Sequence, residues 1–308
     1  MSKSAILSSS IAKKYWMALT GLFLCLFLVG HLLGNLQLIF IGGEEGRRAF
    51  NEYAYFMTHN PLIKVMSYLT YLSILFHSID GILLAIQNKK ARPIAYAHNN
   101  PGANSKLPAR HMALLGSAIL LFIVIHMANF WWEMKYSSDT MPLHTYVEIV
   151  NVPVGQDPMT GQAIKKDIEL TYALTTKGEV MELSYKNPET GAVEQIINIK
   201  EGTKFFDKTT DIQVAEGYKD LHSEVMSFFG QTKNGFDTNK YALFAVLVYV
   251  LSMIILALHL SHGFQSAFQS LGINHKKYTK GIKLFGSVFS ILIPLGFAII
   301  PIILFLNK

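Results

Sequence analysis

The stretch LFLCLFLVGHLLGNLQLIF, residues 22 to 40, is apolar apart from His31, Asn35 and Gln37. A run of ~20 such residues spans the hydrocarbon core of a bilayer as a helix, so this stretch sets the fold class: an integral membrane protein. It also poses a chemical problem. A polar ring at bilayer depth costs free energy unless something partners it, which makes an intramembrane histidine a functional candidate by default.

Four further runs of the same kind follow. The five cover about Tyr15 to Phe40, Pro61 to Ile86, Met112 to Trp132, Tyr241 to Phe268 and Leu284 to Phe305, in a chain of 308 residues that is 51% hydrophobic and 16% charged. The expected organisation is all-α with five transmembrane helices: helices I to III within residues 1–132, a β-rich extracytoplasmic insertion at 133–240, and helices IV and V within 241–308. The first run exceeds a ~7–15-residue signal-peptide core and no small-residue cleavage site follows it, so it is expected to span the membrane.

The formal charge is +6 and the isoelectric point near 9.1. A basic chain raises the question of nucleic acid, but the placement of its charges points to topology instead, with no nucleic-acid partner. Lys3, Lys13 and Lys14 precede the first span; Lys89, Lys90, Arg92, Lys106 and Arg110 join the second to the third; Lys276, Lys277, Lys280 and Lys283 join the fourth to the fifth, and none of these segments contains an acid. Apart from Asp80, every Asp and Glu lies in the first-to-second connection, GGEEGRRAFNEYAYFMTHN, or in the long third-to-fourth one. The positive-inside rule then places the N-terminus in the cytoplasm and the C-terminus outside.

The long outer connection, Glu133 to Lys240, differs in composition from its surroundings. YVEIVNVPVGQDPMTGQAIKKDIELTY and GEVMELSYKNPETGAVEQIINIKEG each alternate around a Pro- and Gly-containing turn and read as β-hairpins. No catalytic constellation stands in this segment, so its plain reading is an insertion with a docking or protective role. KDLHSEVMSFFG looks amphipathic and is expected to run along the interface into the fourth span. Trp131, Trp132 and Tyr136 suit an aromatic belt at the outer interface.

His31 has counterparts in three other spans: His77 in the second, His126 in the third and His259, with His262 nearby, in the fourth. At ~1.5 Å rise per residue from the expected outer helix ends, His126 lies ~10 Å deep, His31 ~17 Å, His77 ~24 Å and His259 ~28 Å. They sort into an outer pair, His31 with His126, and an inner pair, His77 with His259. Two stacked bis-histidine sites in a four-helix bundle are what two b-type haems need, since neutral imidazoles from facing helices bind iron from both faces. Gly30, Gly34, Gly81 and Gly263, within one turn of these histidines, are candidates for packing a flat macrocycle. Cys25 is the single cysteine, which excludes a Cys-x-x-Cys-His attachment and leaves noncovalent ligation.

The competing reading of each histidine is a helix–helix hydrogen bond. His262, three residues after His259, is an alternative ligand, while His59, His98, His111 and His275 read as interfacial or loop residues, His111 and Arg110 being candidates to meet a haem propionate. Asp80, the one acid in a span, is a candidate proton carrier or a solvated structural group. Asn35, Gln37 and Glu52 are candidates for a quinone site near the outer pair, the competing reading of the two amides being helix–helix hydrogen bonds.

KKYWMALTGLFLCLFLVGHLLGNLQ, AFNEYAYFM, LFHSIDGILLAIQNKKAR and LALHLSHGFQSAFQSLGINHKKY together resemble the single-chain, five-helix, dihaem cytochrome b subunit of succinate:quinone oxidoreductases, including quinol:fumarate reductases. The resemblance covers all five spans and their short connections and is strongest at His-x-x-Gly-Asn around His31 and His-x-x-x-Gly at His259. It implies two haem b groups on the same four histidines and a bacterial cytoplasmic-membrane location. It also implies a flavoprotein subunit and an iron–sulfur subunit on the basic, cytoplasmic side, with electrons exchanged with a quinone such as menaquinone. The 133–240 insertion departs from shorter members of that family. Two rivals stay open: the cytochrome b anchor of another respiratory dehydrogenase, and a transporter that couples protons through intramembrane His and Asp.

Overall fold

The computed structural model describes residues 9–94, 100–137, 141–156 and 159–308. Lys3, His98 and the Asp157–Pro158 dipeptide of the first hairpin turn, which enter the readings above, lie outside the described residues.

The chain begins with α1 (Ser10–Phe40), α2 (Gly43–His59), α3 (Pro61–Lys90) and α4 (Met112–Tyr136), with single helical turns at Pro101–Asn104 and Leu107–Arg110 before α4. Strands β1 (Thr145–Gln156), β2 (Ala163–Leu174), β3 (Val180–Lys186), β4 (Val193–Gln195), β5 (Ile197–Lys200), β6 (Lys204–Asp207) and β7 (Gln213–Glu216) follow. The chain closes with α5 (Leu221–Phe228), α6 (Ala242–Ser270) and α7 (Lys276–Leu306). Five of these helices, α1, α3, α4, α6 and α7, are long and apolar enough to cross a membrane. The protein is therefore a mostly helical, multi-pass membrane protein carrying small antiparallel sheets.

The helix ends follow from local chemistry. Asn60 caps α3 by accepting from the backbone N–H of Leu62 and Ile63 at 2.9 and 3.3 Å, and Pro61 supplies the fixed φ of a first helical residue. Lys89 and Lys90 close the same helix, where cations complement its dipole. Gly272, at φ +79°, turns the chain between α6 and α7, and the His275 ring nitrogen then accepts from Lys277 N.

α1, α3, α4 and α6 form a ring in which each helix packs on the next, and α7 packs outside it against α1 and α6. Gly286 and Gly296 set that last contact. A Cβ at either would stand 2.8 Å from Phe264 or Leu32. The diagonals of the ring, α1 to α4 and α3 to α6, are not closed by comparable backbone packing.

Most of the first-to-second connection, GGEEGRRAFNEYAYFMTHN, is the helix α2. Its buried residues Arg47, Phe50, Asn51 and Ala54 recur at i, i+3, i+4 and i+7, one face of a helix, although Gly42, Gly43 and Gly46 resemble turn signals. The two expected hairpins are present as β1/β2 and β3/β4 in one sheet of order β1-β2-β3-β4. A second sheet, β5-β6-β7, turns at Asp207, whose Oδ1 accepts from the backbone of Thr209 and Thr210 at 3.0 and 2.7 Å. Ala173, Leu183, Phe205 and Ala215 make the core of this subdomain.

α5 differs from expectation in where it lies. It sits over one end of the bundle, with Val225, Met226 and Phe229 clustered on Leu32, Leu38, Phe50, Val246, Ile300 and Leu304. Every one of those partners is apolar, so the amphipathic face finds protein to cover it. A polar latch holds it there: Asp220, fully buried, accepts from Arg47 Nη2 and Nε at 2.7 and 2.9 Å, from Asn51 at 2.8 Å and from Ser223 N at 3.1 Å. Asn51 in turn accepts from His222 N at 2.9 Å, and His144 lies between Asn51 and Glu44. Removing one partner of a buried pair such as Arg47–Asp220 costs about 3–5 kcal/mol.

Burial alone would raise the Asp220 carboxyl, but its bonds to Arg47, Asn51 and Ser223 outweigh this and hold it below the usual carboxylate range. Burial pushes the His222 imidazole down to about 4. The unfolded chain therefore binds a proton at His222 that the folded one refuses between its ordinary value near 6.5 and about 4. Stability of the α2–α5 contact falls as pH drops through that window, by up to about 1.4 kcal/mol per pH unit. Asp220 adds its own loss at lower pH still. Amide exchange of residues 221–229 corrected to a common intrinsic rate is expected to be flat above pH 7 and to quicken below 6.5.

Candidate functional site

The structure brings together two pairs of histidines. His31 on α1 meets His126 on α4, with ring centroids 5.9 Å apart and planes at 79°; His77 on α3 meets His259 on α6 at 6.2 Å and 71°. Each pair spans one diagonal of the ring of helices, where backbone packing is sparser than between neighbours. These are the pairs expected from depth. His262 makes no ring contact with the other four among the described residues, so His259 is the α6 member of the inner pair.

The surroundings orient the rings. His77 Nδ1 lies 3.2 Å from the Met17 carbonyl and 3.4 Å from Thr20 Oγ1, whose own proton goes to Trp16 O at 2.7 Å, so Nδ1 carries the hydrogen and Nε2 is left as a ligand. His126 Nδ1 is 3.3 Å from the Tyr249 hydroxyl. His31 is stacked on Phe27 at 5.3 Å and flanked by Phe297 at 5.6 Å. The Nδ1 of His259 is buried with no hydrogen-bond partner among the described residues, an unsatisfied group inside the helix bundle.

These residues fit a haem. A metal ion bound ~2.0–2.1 Å from one nitrogen of each ring would set the centroids about 6 Å apart, and the two pairs stand at 5.9 and 6.2 Å. Among the described residues no group of three or more His, Cys, Asp or Glu could hold a metal ion. Two histidine nitrogens per site are the set that would hold a haem iron, which would supply one-electron chemistry there.

The candidate glycines behave differently from one another. A Cβ on Gly30 would meet nothing within 4 Å, and one on Gly81 or Gly263 would meet only the methionine ends of Met17 at 3.9 Å or Met112 at 3.7 Å. Gly34 is occupied otherwise: a Cβ there would overlap the Tyr53 ring of α2, so this glycine admits a protein side chain rather than a macrocycle. Gly21 and Gly116 were missed. A Cβ on Gly21 or Gly116 would stand 3.1 or 3.5 Å from Cε1 of His77 or His259, across the helix interface and not one turn away on the same helix. No spacing along a single helix reveals such a contact.

The expected quinone residues hold local partners. Asn35 Nδ2 donates to the His31 carbonyl at 2.8 Å and lies 3.5 Å from its Nδ1, Gln37 donates to the Gly34 carbonyl at 3.1 Å, and Glu52 pairs with Arg48 at 2.7 Å on the surface of α2. Asn35 thus touches the outer pair, and the other two do not. The indole of Trp131 donates to Tyr71 of α3 at 2.8 Å, within a π-helical turn, Met127–Trp132, that begins directly after His126. No protein-family model, curated protein or solved structure matches the chain.

Proposed function

We propose that this chain is the dihaem cytochrome b membrane subunit of a succinate:quinone oxidoreductase, anchoring a flavoprotein and an iron–sulfur subunit at the cytoplasmic face and passing electrons between them and a quinone. The observation that carries the reading is the pair of histidine contacts, one across each diagonal of a four-helix ring, at two depths. The sequence resemblance supplies the partners and the substrate.

In this reading His31 and His126 hold the outer haem and His77 and His259 the inner one, and bound haem supplies one-electron transfer at each level. The chain's residues supply orientation. Met17 O and Thr20 fix the tautomer of His77, Tyr249 steadies His126, and Asn35 sits against His31. The apolar walls around both pairs, with Phe27, Phe122 and Phe297 against the outer one, control water and set the local polarity. The lysines and arginines at the cytoplasmic ends of α3 and α7 offer the partner subunits a positive surface. No dicarboxylate site, flavin motif or cluster of cysteines is present in the sequence, so oxidation of succinate belongs to those partners. Quinone exchange is assigned to the outer level, where Asn35 lies.

Purification of the tagged chain from its native membrane in mild detergent tests the assignment. A flavin-carrying subunit and an iron–sulfur subunit with succinate dehydrogenase activity are expected to follow it. Copurification of hydrogenase or formate dehydrogenase subunits would move the chain to another respiratory anchor.

A further inference from the structure

The insertion at 133–240 ends in α5, and α5 reaches the outer histidine pair through a continuous aromatic chain. His126 lies 5.5 Å from Phe130 and 5.9 Å from Tyr249, ring centroid to centroid. Phe228 stands 5.0 Å from Phe130 and 5.9 Å from Tyr249, and Phe229 stands 5.2 Å from Tyr249. Phe229 is buried, 4% exposed. These two phenylalanines belong to the insertion, while the rings they cover belong to the bundle.

The same helix is fixed at both ends. Asp220, at its N-terminus, carries the buried bonds to Arg47 and Asn51 of α2. Beyond its C-terminus, Gln231 donates to the Leu304 carbonyl at the end of α7 at 2.9 Å, and Asn239 donates to the Phe228 carbonyl at 2.9 Å. A segment with a docking role alone would need no buried ion pair to a membrane-proximal helix and no aromatic contact with Phe130 and Tyr249, the rings that touch His126.

Resting on the assignment of His31 and His126 to an outer haem, we infer that the insertion is a built-in cap, in which the Asp220 latch positions Phe228 and Phe229 to close the outer end of the bundle over His126 and keep water from it. The consequence is electrostatic. A ferric haem carries one more positive charge than a ferrous one, and water stabilises the charged form far better than an apolar wall does. Closure therefore raises the potential of the outer haem, and opening lowers it.

The full chain in its complex, carrying Phe228→Ala with Phe229→Ala, tests this beside wild type and Val147→Ala, a change at a β1 residue 61% exposed. Three readings are taken: a redox titration resolving the two haems, the rate of haem reduction by a membrane-impermeant reductant added outside sealed vesicles, and amide exchange of residues 126–132. The expected result is a lower potential for the haem that His126→Ala removes, with the other unchanged, several-fold faster reduction from outside, and faster exchange, none of which Val147→Ala produces. An unchanged outer potential and access, or an equal shift at both haems, would overturn the cap. If the wild-type protein holds no outer haem, the haem assignment falls and exchange alone decides the cap: faster exchange in the double variant upholds closure by Phe228 and Phe229, and unchanged exchange removes it.

Discussion

His77→Ala or His259→Ala is expected to leave one haem in place of two and to reduce succinate-driven quinone reduction to background. The inner pair lies toward Lys89 and Lys90 at the end of α3 and Lys276 and Lys277 at the start of α7, the side that the proposed function assigns to the iron–sulfur subunit, so its loss would interrupt the path before any electron reached the outer level. Succinate oxidation linked to a soluble dye should persist, because the proposed function places that chemistry in the partner subunits. Both substitutions should remove the same haem, since the two rings face each other at 6.2 Å. Full quinone-linked activity in either variant would show that electrons do not pass through this pair.

His31→Ala or His126→Ala is expected to remove the other haem, leaving the inner one and its optical and paramagnetic signals intact. Quinone-linked turnover should again fall steeply, now because the outer level no longer delivers electrons. The comparison across pairs is the sharper test. His31→Ala and His77→Ala lie on neighbouring helices, α1 and α3, and a pairing by sequence neighbourhood would have them lose the same haem. Pairing across the diagonals requires that they lose different ones, and low-temperature spectra of the two variants separate these outcomes.

The spans and the pairing of their histidines are legible in the sequence because both rest on length. An apolar run of ~20 residues reports a helix through lipid, and ~1.5 Å per residue turns position into depth. His31 and His126 can be matched without knowing which helices touch. The parts that were not legible depend on contacts between elements. α2 is hard to read as a helix because three glycines and several charges mask its buried face, and the buried Arg47 is met by Asp220, 173 residues away, and by the Thr145 carbonyl. The face of α5 covers the bundle end instead of lying along the interface, since the apolar ends of α1, α6 and α7 are there to receive it. Gly34 was grouped with the haem-packing glycines by its spacing from His31, whereas the space it leaves is filled from α2 by Tyr53. The reverse holds for Gly21 and Gly116, whose open sides serve histidines on other helices.

The central claim is that four membrane histidines form two haem sites, and the haem content of the purified protein tests it most directly. Pyridine haemochrome analysis set against protein determined by amino-acid analysis is predicted to give two noncovalent b-type haems per chain, extractable in acid acetone because Cys25 alone offers no covalent attachment. A ratio near one would leave one of the two histidine pairs without its haem and contradict the account, and a ratio near zero would return all four residues to helix–helix hydrogen bonding or proton coupling.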